Sequence, residues 1–223
     1  MKRNVKKNLL LGTGLMLSFI LWTVMVMCFD LQPVGVNGTN VGFATLNSAV
    51  HKLTGSNMSL YNITDWLGLV PLFICFVFAG VGLCQLIKRK SLFKVDVDII
   101  LLGVYYIMVI AAYLVFEMIP INYRPILING FMEVSYPSST TLLVLCVMPT
   151  LNFQARRIDN KYIKSVIKIL SVTFSVFMVT GRLVSGVHWL SDIIGSVLFS
   201  FGLFCIYKGV VLSVWNLRKN CRN

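Results

Sequence analysis

The residues best suited to chemistry stand close together in the run Gly181-Arg-Leu-Val-Ser-Gly-Val-His-Trp-Leu-Ser-Asp-Ile-Ile-Gly195, where His188 lies six residues beyond Arg182 and Asp192 four beyond His188. On a helix, positions four apart share a face. The spacing therefore predicts that Asp192 accepts a hydrogen bond from one imidazole nitrogen, fixes the tautomer and leaves the other nitrogen free as a nucleophile. A His–Asp pair that merely braces two helices would explain those two residues, but neither the arginine nor Gly186. A second cation, Arg124, sits in Tyr123-Arg-Pro125. Planar guanidinium forks suit phosphate oxygens, although either arginine alone is read equally well as snorkelling to an interface or meeting a lipid headgroup. In Tyr136-Pro-Ser-Ser-Thr-Thr141, proline suits a first helical turn and serine its cap. Such a helix start, with Ser138 and Ser139, presents free N–H groups to an anion; by itself it is an ordinary capped helix.

These stretches have to be positioned by elements that live in lipid. Of 223 residues, 57% are hydrophobic, and the mean hydropathy is +0.81, above the usual range of soluble domains. Roughly 20 apolar residues in helical form span a bilayer core. Five runs meet that length: Leu9–Phe29, Trp66–Ile87, Val97–Ile119, Val166–Val184 and Ile193–Trp215. A sixth, Thr140–Phe153, is shorter and suits a helix whose polar beginning is buried against protein. The expected fold is all-α: a polytopic integral membrane protein, a six-transmembrane-helix bundle forming one membrane domain over 1–223, with the chemistry-bearing helices at 97–215.

The formal charge of +12 does not indicate nucleic-acid binding, because the cations fall in short clusters between apolar runs instead of on one solvated face. The clusters are Lys2–Lys7, Lys88–Lys94, Arg156–Lys168 and Arg218–Arg222. With six spans all four lie on one side, and positive charge marks the cytoplasmic side. Both termini are then expected to be cytoplasmic, with Asp30–Asp65 an external loop and Arg124 and Arg182 facing outside. The first apolar run is too long for a signal-peptide core and reads as a retained anchor. Asn37-Gly-Thr, Asn57-Met-Ser and Asn62-Ile-Thr fit the glycosylation pattern, though a solvated polar loop explains them as well. Cys28, Cys75, Cys84, Cys146 and Cys205 lie inside apolar runs and Cys221 in the tail; their spacing suggests neither disulfides nor a metal site.

Taken in order, the three stretches resemble the signature of the type 2 phosphatidic acid phosphatases, the lipid phosphate phosphatases. The third matches as arginine, five residues, histidine, three residues, aspartate, with Gly181 where that family usually has serine. The first matches in Arg124-Pro125 and the second in Pro137-Ser138. The resemblance implies that His188 attacks phosphorus to form a phosphohistidine, that Asp192 orients it, and that Arg124, Arg182, Ser138 and Ser139 hold the phosphoryl oxygens. It implies no metal or cofactor, and a membrane lipid phosphate or diphosphate as substrate. Two positions depart: Glu117 stands where a lysine is expected, and Thr140 where a histidine would protonate the leaving oxygen. Glu133 is either a substitute acid or a solvated loop charge. A diphosphate, such as a polyprenyl diphosphate, leaves as a fair anion, so a site without its acid suits it better than an alkyl monoester. A pseudoenzyme that binds headgroups without turnover and a small transporter component are the alternative readings. Compact loops point to a bacterial plasma membrane.

Overall fold

The computed structural model describes residues 2–220, so Cys221 and Arg222 lie outside the described residues. Among the described residues the helices are α1 (Lys2–Cys28), α2 (Ala44–Thr54), α3 (Met58–Leu67), α4 (Leu69–Arg89), α5 (Val97–Met118), α6 (Ser139–Ala155), α7 (Lys161–Val184) and α8 (Leu190–Asn220). No strand forms among them, only isolated bridges, so the all-helical expectation holds. Five stretches are long and apolar enough to cross a membrane: α1, α3 with α4, α5, α7 and α8. The remaining run falls in α6, at 17 residues. That helix packs against α4, α5, α7 and α8 and buries Thr141, Leu142, Val144, Leu145, Cys146 and Val147 in succession. A helix apolar all round is satisfied by protein on every side and need not match the bilayer's thickness.

Outward faces of the other helices carry exposed Leu17, Leu21, Phe73, Phe76, Ile107 and Leu170, surface that water would not tolerate at this extent. Inside, α1 lies along α8 with glycines at the contact. A Cβ at Gly12 would stand 2.9 Å from the Gly202 carbonyl oxygen, and one at Gly209 would stand 2.7 Å from Leu9. Small residues let membrane helices approach this closely, which is where their packing energy comes from. Rings of Phe19, Phe116, Tyr136 and Phe199 fill the space between α1, α5 and α8.

The basic clusters gather at one end of the bundle. Arg89 at the end of α4 and Arg157 after α6 both pair with Asp96 before α5, and the ring of Trp215 of α8 lies parallel to that of Phe153 of α6, 6.3 Å between centres. At the opposite end, Asp30–Asp65 is not the plain loop expected of its composition. It folds into α2 and α3, and buries Val41, Ala44, Asn47 and Thr64. Asn57 caps α3 by accepting from Leu60 N at 2.9 Å, and its own N–H donates to the Ser185 carbonyl at 2.9 Å.

Candidate active site

Helix α7 ends at Val184 and α8 begins at Leu190, which places Arg182 in the last turn of one helix and His188 in the loop between them. Gly186 makes that loop possible. Its φ is +67°, and an added Cβ would run into the Gly55 carbonyl, so glycine alone fits the left-handed turn. His188 is therefore not on a helix face with Asp192, and the direct hydrogen bond predicted from four-residue spacing does not form: Nδ1 and Oδ2 are 3.8 Å apart. Asp192 instead accepts from the Trp189 N–H at 2.9 Å, the acidic half of a capping box that starts α8.

Ser135 closes the gap. Its Oγ lies 3.1 Å from His188 Nδ1 and donates to Asp192 Oδ2. On the other side of the ring, Arg182 Nη2 lies 3.3 Å from Nε2. A guanidinium can only donate, so Nε2 is the unprotonated nitrogen and Nδ1 carries the proton toward Ser135. The Ser135 carbonyl, 3.2 Å from Nδ1, and the chain from Nδ1–H through Ser135 Oγ–H to the Asp192 carboxylate together set the tautomer that leaves a lone pair facing Arg182. Burial, with the charges of Arg124 and Arg182, holds the His188 imidazole neutral well below its ordinary range.

Ser135 and Arg124 come from the connection between α5 and α6, which is folded as a hairpin. Asn129 and Gly130 form its tip with φ of +51° and +82°, the backbone that an Asn-Gly turn favours. Its arms join Arg124 N to the Glu133 carbonyl and Ser135 N to the Asn122 carbonyl. Asn122 Nδ2 reaches Asp192 Oδ1 at 3.4 Å, and Trp189 Nε1 donates to the Tyr123 carbonyl at 2.8 Å. One hairpin therefore carries Arg124 and the Ser135 bridge, and locks both to the His188 loop.

Arg124 is 8% exposed and Arg182 0%, and both border a cavity of about 370 Å³ that also meets Tyr61, Asp65, Glu117, Glu133, Ser139 and Thr140. Tyr61 lies under both guanidiniums, 5.6 Å from Arg124 and 4.9 Å from Arg182. Glu133 Oε2 is 3.0 Å from Arg124 Nε, an ion pair by distance but without hydrogen-bond alignment. Among the described residues, Arg124 Nε and Nη1 and Arg182 Nε have no hydrogen-bond acceptor. Buried cations with spare donors beside a cavity are built to receive an anion.

A family model described as the PAP2 superfamily matches residues 99–216. The chain belongs to that superfamily. Its fold is similar to the crystal structure of the first transmembrane PAP2 type phosphatidylglycerolphosphate phosphatase from Bacillus subtilis. The TM-score is 0.65 at 17% identity, over 91% of this chain and 96% of that one. No curated protein matches in sequence. This is an integral membrane protein with a PAP2 phosphatase fold.

Of the residues singled out from the PAP2-like stretches, the structure brings Arg124, Arg182, Ser139, Glu117 and Thr140 to one cavity, with His188 directly behind Arg182. Ser138 is apart. It is fully buried, its Oγ donates to Thr141 Oγ1 at 3.0 Å and its carbonyl accepts from Ser196, so here it braces the start of α6 against α8. Sequence reasoning missed Ser135, Tyr61, Asp65, Asn47 and His51. The last four lie outside the PAP2-matched residues. Asn47 bonds Ser191 through both Nδ2 and Oδ1, and His51 Nε2 lies 3.1 Å from the Gly186 carbonyl. A signal for Ser135 existed in Asn129-Gly130, which marks a hairpin; nothing local marks the others.

Proposed function

We propose that this PAP2 member hydrolyses a membrane lipid phosphate or diphosphate on the outer face, with His188 as nucleophile and a phosphohistidine intermediate. The observation that carries this reading is the Nε2 lone pair of a buried neutral imidazole turned toward Arg182, beside two buried guanidiniums that keep unused donors. Nε2 attacks phosphorus, the lipid oxygen leaves, and water then cleaves the P–N bond. Arg124 and Arg182 stabilise the charge on the equatorial oxygens, and Asp192 acts on His188 through Ser135. The whole chain forms one membrane domain of six spans, with both termini cytoplasmic. Supporting this side assignment, the site lies at the end of the bundle opposite the basic clusters, and positive charge marks the cytoplasmic side.

The test is an assay of sealed vesicles of known orientation, with lipid monoesters and diphosphates added outside. Wild-type protein should release phosphate and incorporate label at a histidine, while His188→Ala does neither. Turnover that survives His188→Ala would sink the mechanism, and turnover only from the inner face would sink the orientation. Thr140 in place of an acidic group favours one rival, a headgroup-binding protein without turnover. That rival predicts lipid phosphate binding with no labelled histidine.

A further inference from the structure

We propose that Asp65 is the acid that protonates the leaving oxygen, a role that rests on the hydrolase reading above. The polar cavity does not end blindly. Asp65, Tyr113, Ser139, Thr140 and Leu142 border both it and a second cavity of about 490 Å³, which is lined further on by Leu69, Leu72, Val109, Ile110 and Leu143. A third, of about 350 Å³, continues past Leu72, Val109, Ile110 and Leu143 toward Phe78 and Val147. Together they make an apolar groove between α4, α5 and α6 that runs from the two arginines along the bundle and opens on its lipid-facing side at Leu72 and Ile110. A lipid with its phosphate on the arginines and its tail in this groove has its scissile oxygen at the junction.

An alkoxide needs a proton as it leaves, and few groups stand at that junction. The hydroxyls of Thr140 and Ser139 are not acids near neutral pH, and a phenol such as Tyr113 is a weak one at an ordinary pKa of about 10. Three carboxylates border the polar cavity, but Glu117 and Glu133 do not border the apolar one. Asp65 borders both.

Its place is fixed by close packing. A Cβ at Gly181 would stand 2.8 Å from Thr64 Cγ2, so the glycine lets α3 close on α7 and brings Asp65 to Arg182. Asp65 Oδ1 lies 3.5 Å from Arg182 Nη1, whereas His188 Nε2 lies 3.3 Å from Nη2 of the same guanidinium. His188 and Asp65 thus meet different terminal nitrogens of the one guanidinium that would hold the phosphoryl group.

The step balances within the site. The N–P bond forms as the P–O bond to the lipid breaks, and the Asp65 proton goes to the departing oxygen. Water then attacks phosphorus and gives its proton to the Asp65 carboxylate as the N–P bond breaks. Phosphate, the lipid alcohol, neutral His188 and protonated Asp65 result.

The experiment compares an alkyl lipid monoester with an aryl phosphate whose phenolate leaves without a proton. Asp65→Asn should slow phosphohistidine formation from the lipid by about 10²- to 10⁴-fold. The burst of phenolate from the aryl phosphate should keep its rate, which also shows that the variant is folded. Thr140→His in the Asp65→Asn background should restore lipid turnover, a rescue that a structural role for Asp65 would not permit. Equal losses on the two substrates, or no loss on the lipid, would overturn the assignment while leaving His188 as nucleophile. Wild-type protein that forms no phosphohistidine from either substrate would remove the hydrolase reading and this one together.

Discussion

At the basic end of the bundle, Arg157 reaches Asp96 at 3.1 Å and also pairs with Asp98, while Arg89 reaches Asp96 at 2.7 Å. At the other end, Arg182 meets Asp65 only at 3.5 Å, and Arg124 Nη1 finds no acceptor among the described residues. Spare donors alone do not separate the two, because Arg156 at the basic end also has unbonded nitrogens. Its guanidinium, however, is sandwiched between Phe153 and Trp215, 3.3 Å and 3.9 Å from their ring centres. Stacked rings compensate a cation and leave no room for a ligand. Carboxylates and rings thus close one arginine cluster, whereas the other opens on a cavity. An anion site is recognised less by the presence of arginines than by what their free N–H groups face.

The comparison is broken most directly by treating both ends alike. Arg182→Lys should lower kcat by roughly 10²- to 10³-fold with little change in thermal stability, since a point charge replaces a fork aimed at transition-state oxygens. Arg157→Lys should leave kcat unchanged and lower the melting temperature. Kinetics on both variants, with thermal unfolding alongside, checks this; equal kinetic losses would mean that the ends do not differ in kind.

A smaller effect sharpens the account of the site end. Ser135→Ala cuts the bridge from His188 to Asp192 without touching the cavity, so we expect kcat to fall about 10- to 100-fold with KM nearly constant. Asp192→Asn should slow the enzyme as well, and adding it to Ser135→Ala should cost little more, because both break the same bridge through Ser135 Oγ. Fully additive losses in the double variant would show that Ser135 is not the link.

The smallest effects are in pH. Because the folded pKa of His188 is lowered, the neutral nucleophile persists as pH falls past about 6.5, the ordinary histidine value; phosphorylation of His188 should stay level there and decline only at lower pH. Stability behaves differently. The unfolded chain takes up the proton first, so the contribution of neutral His188 is complete above about 6.5 and diminishes below it. Asp96 is also lowered, chiefly by its hydrogen bond from Arg89, and its contribution is complete above about 3.9 and lost as pH falls toward its folded value. Asp96→Asn should therefore cost about 0.5–1 kcal/mol at neutral pH, as befits a pair a third exposed, and almost nothing in strong acid. Unfolding curves across pH would expose either error of sign.

Legibility followed the range of the interactions. The apolar runs show in sequence because each helix satisfies its own backbone, so length and hydropathy suffice. Arg182, His188 and Asp192 show because they are near neighbours in the chain. Ser135 does not, since it is 53 residues from His188. Its hairpin hides a further difficulty. The tip pairs Ile128 with Phe131, but the arms pair Tyr123 with Val134, so the first arm holds two extra residues and the register cannot be counted out from the Asn-Gly turn. Asp30–Asp65 looks solvated because its polar residues are spent on Ser191, Gly186 and Arg182, partners that exist only in the folded chain.

By itself, then, the sequence determined the helices, the gathering of cations and the PAP2-like run around His188, all consequences of local composition and short spacing. Only the tertiary structure decided that Asp192 is joined to His188 through Ser135, that Ser138 is buried away from the cavity and that α3 brings Asp65 to Arg182. The physical reason is that a buried polar group must find a partner wherever the fold places one, and which partner it finds is a property of packing, not of spacing along the chain.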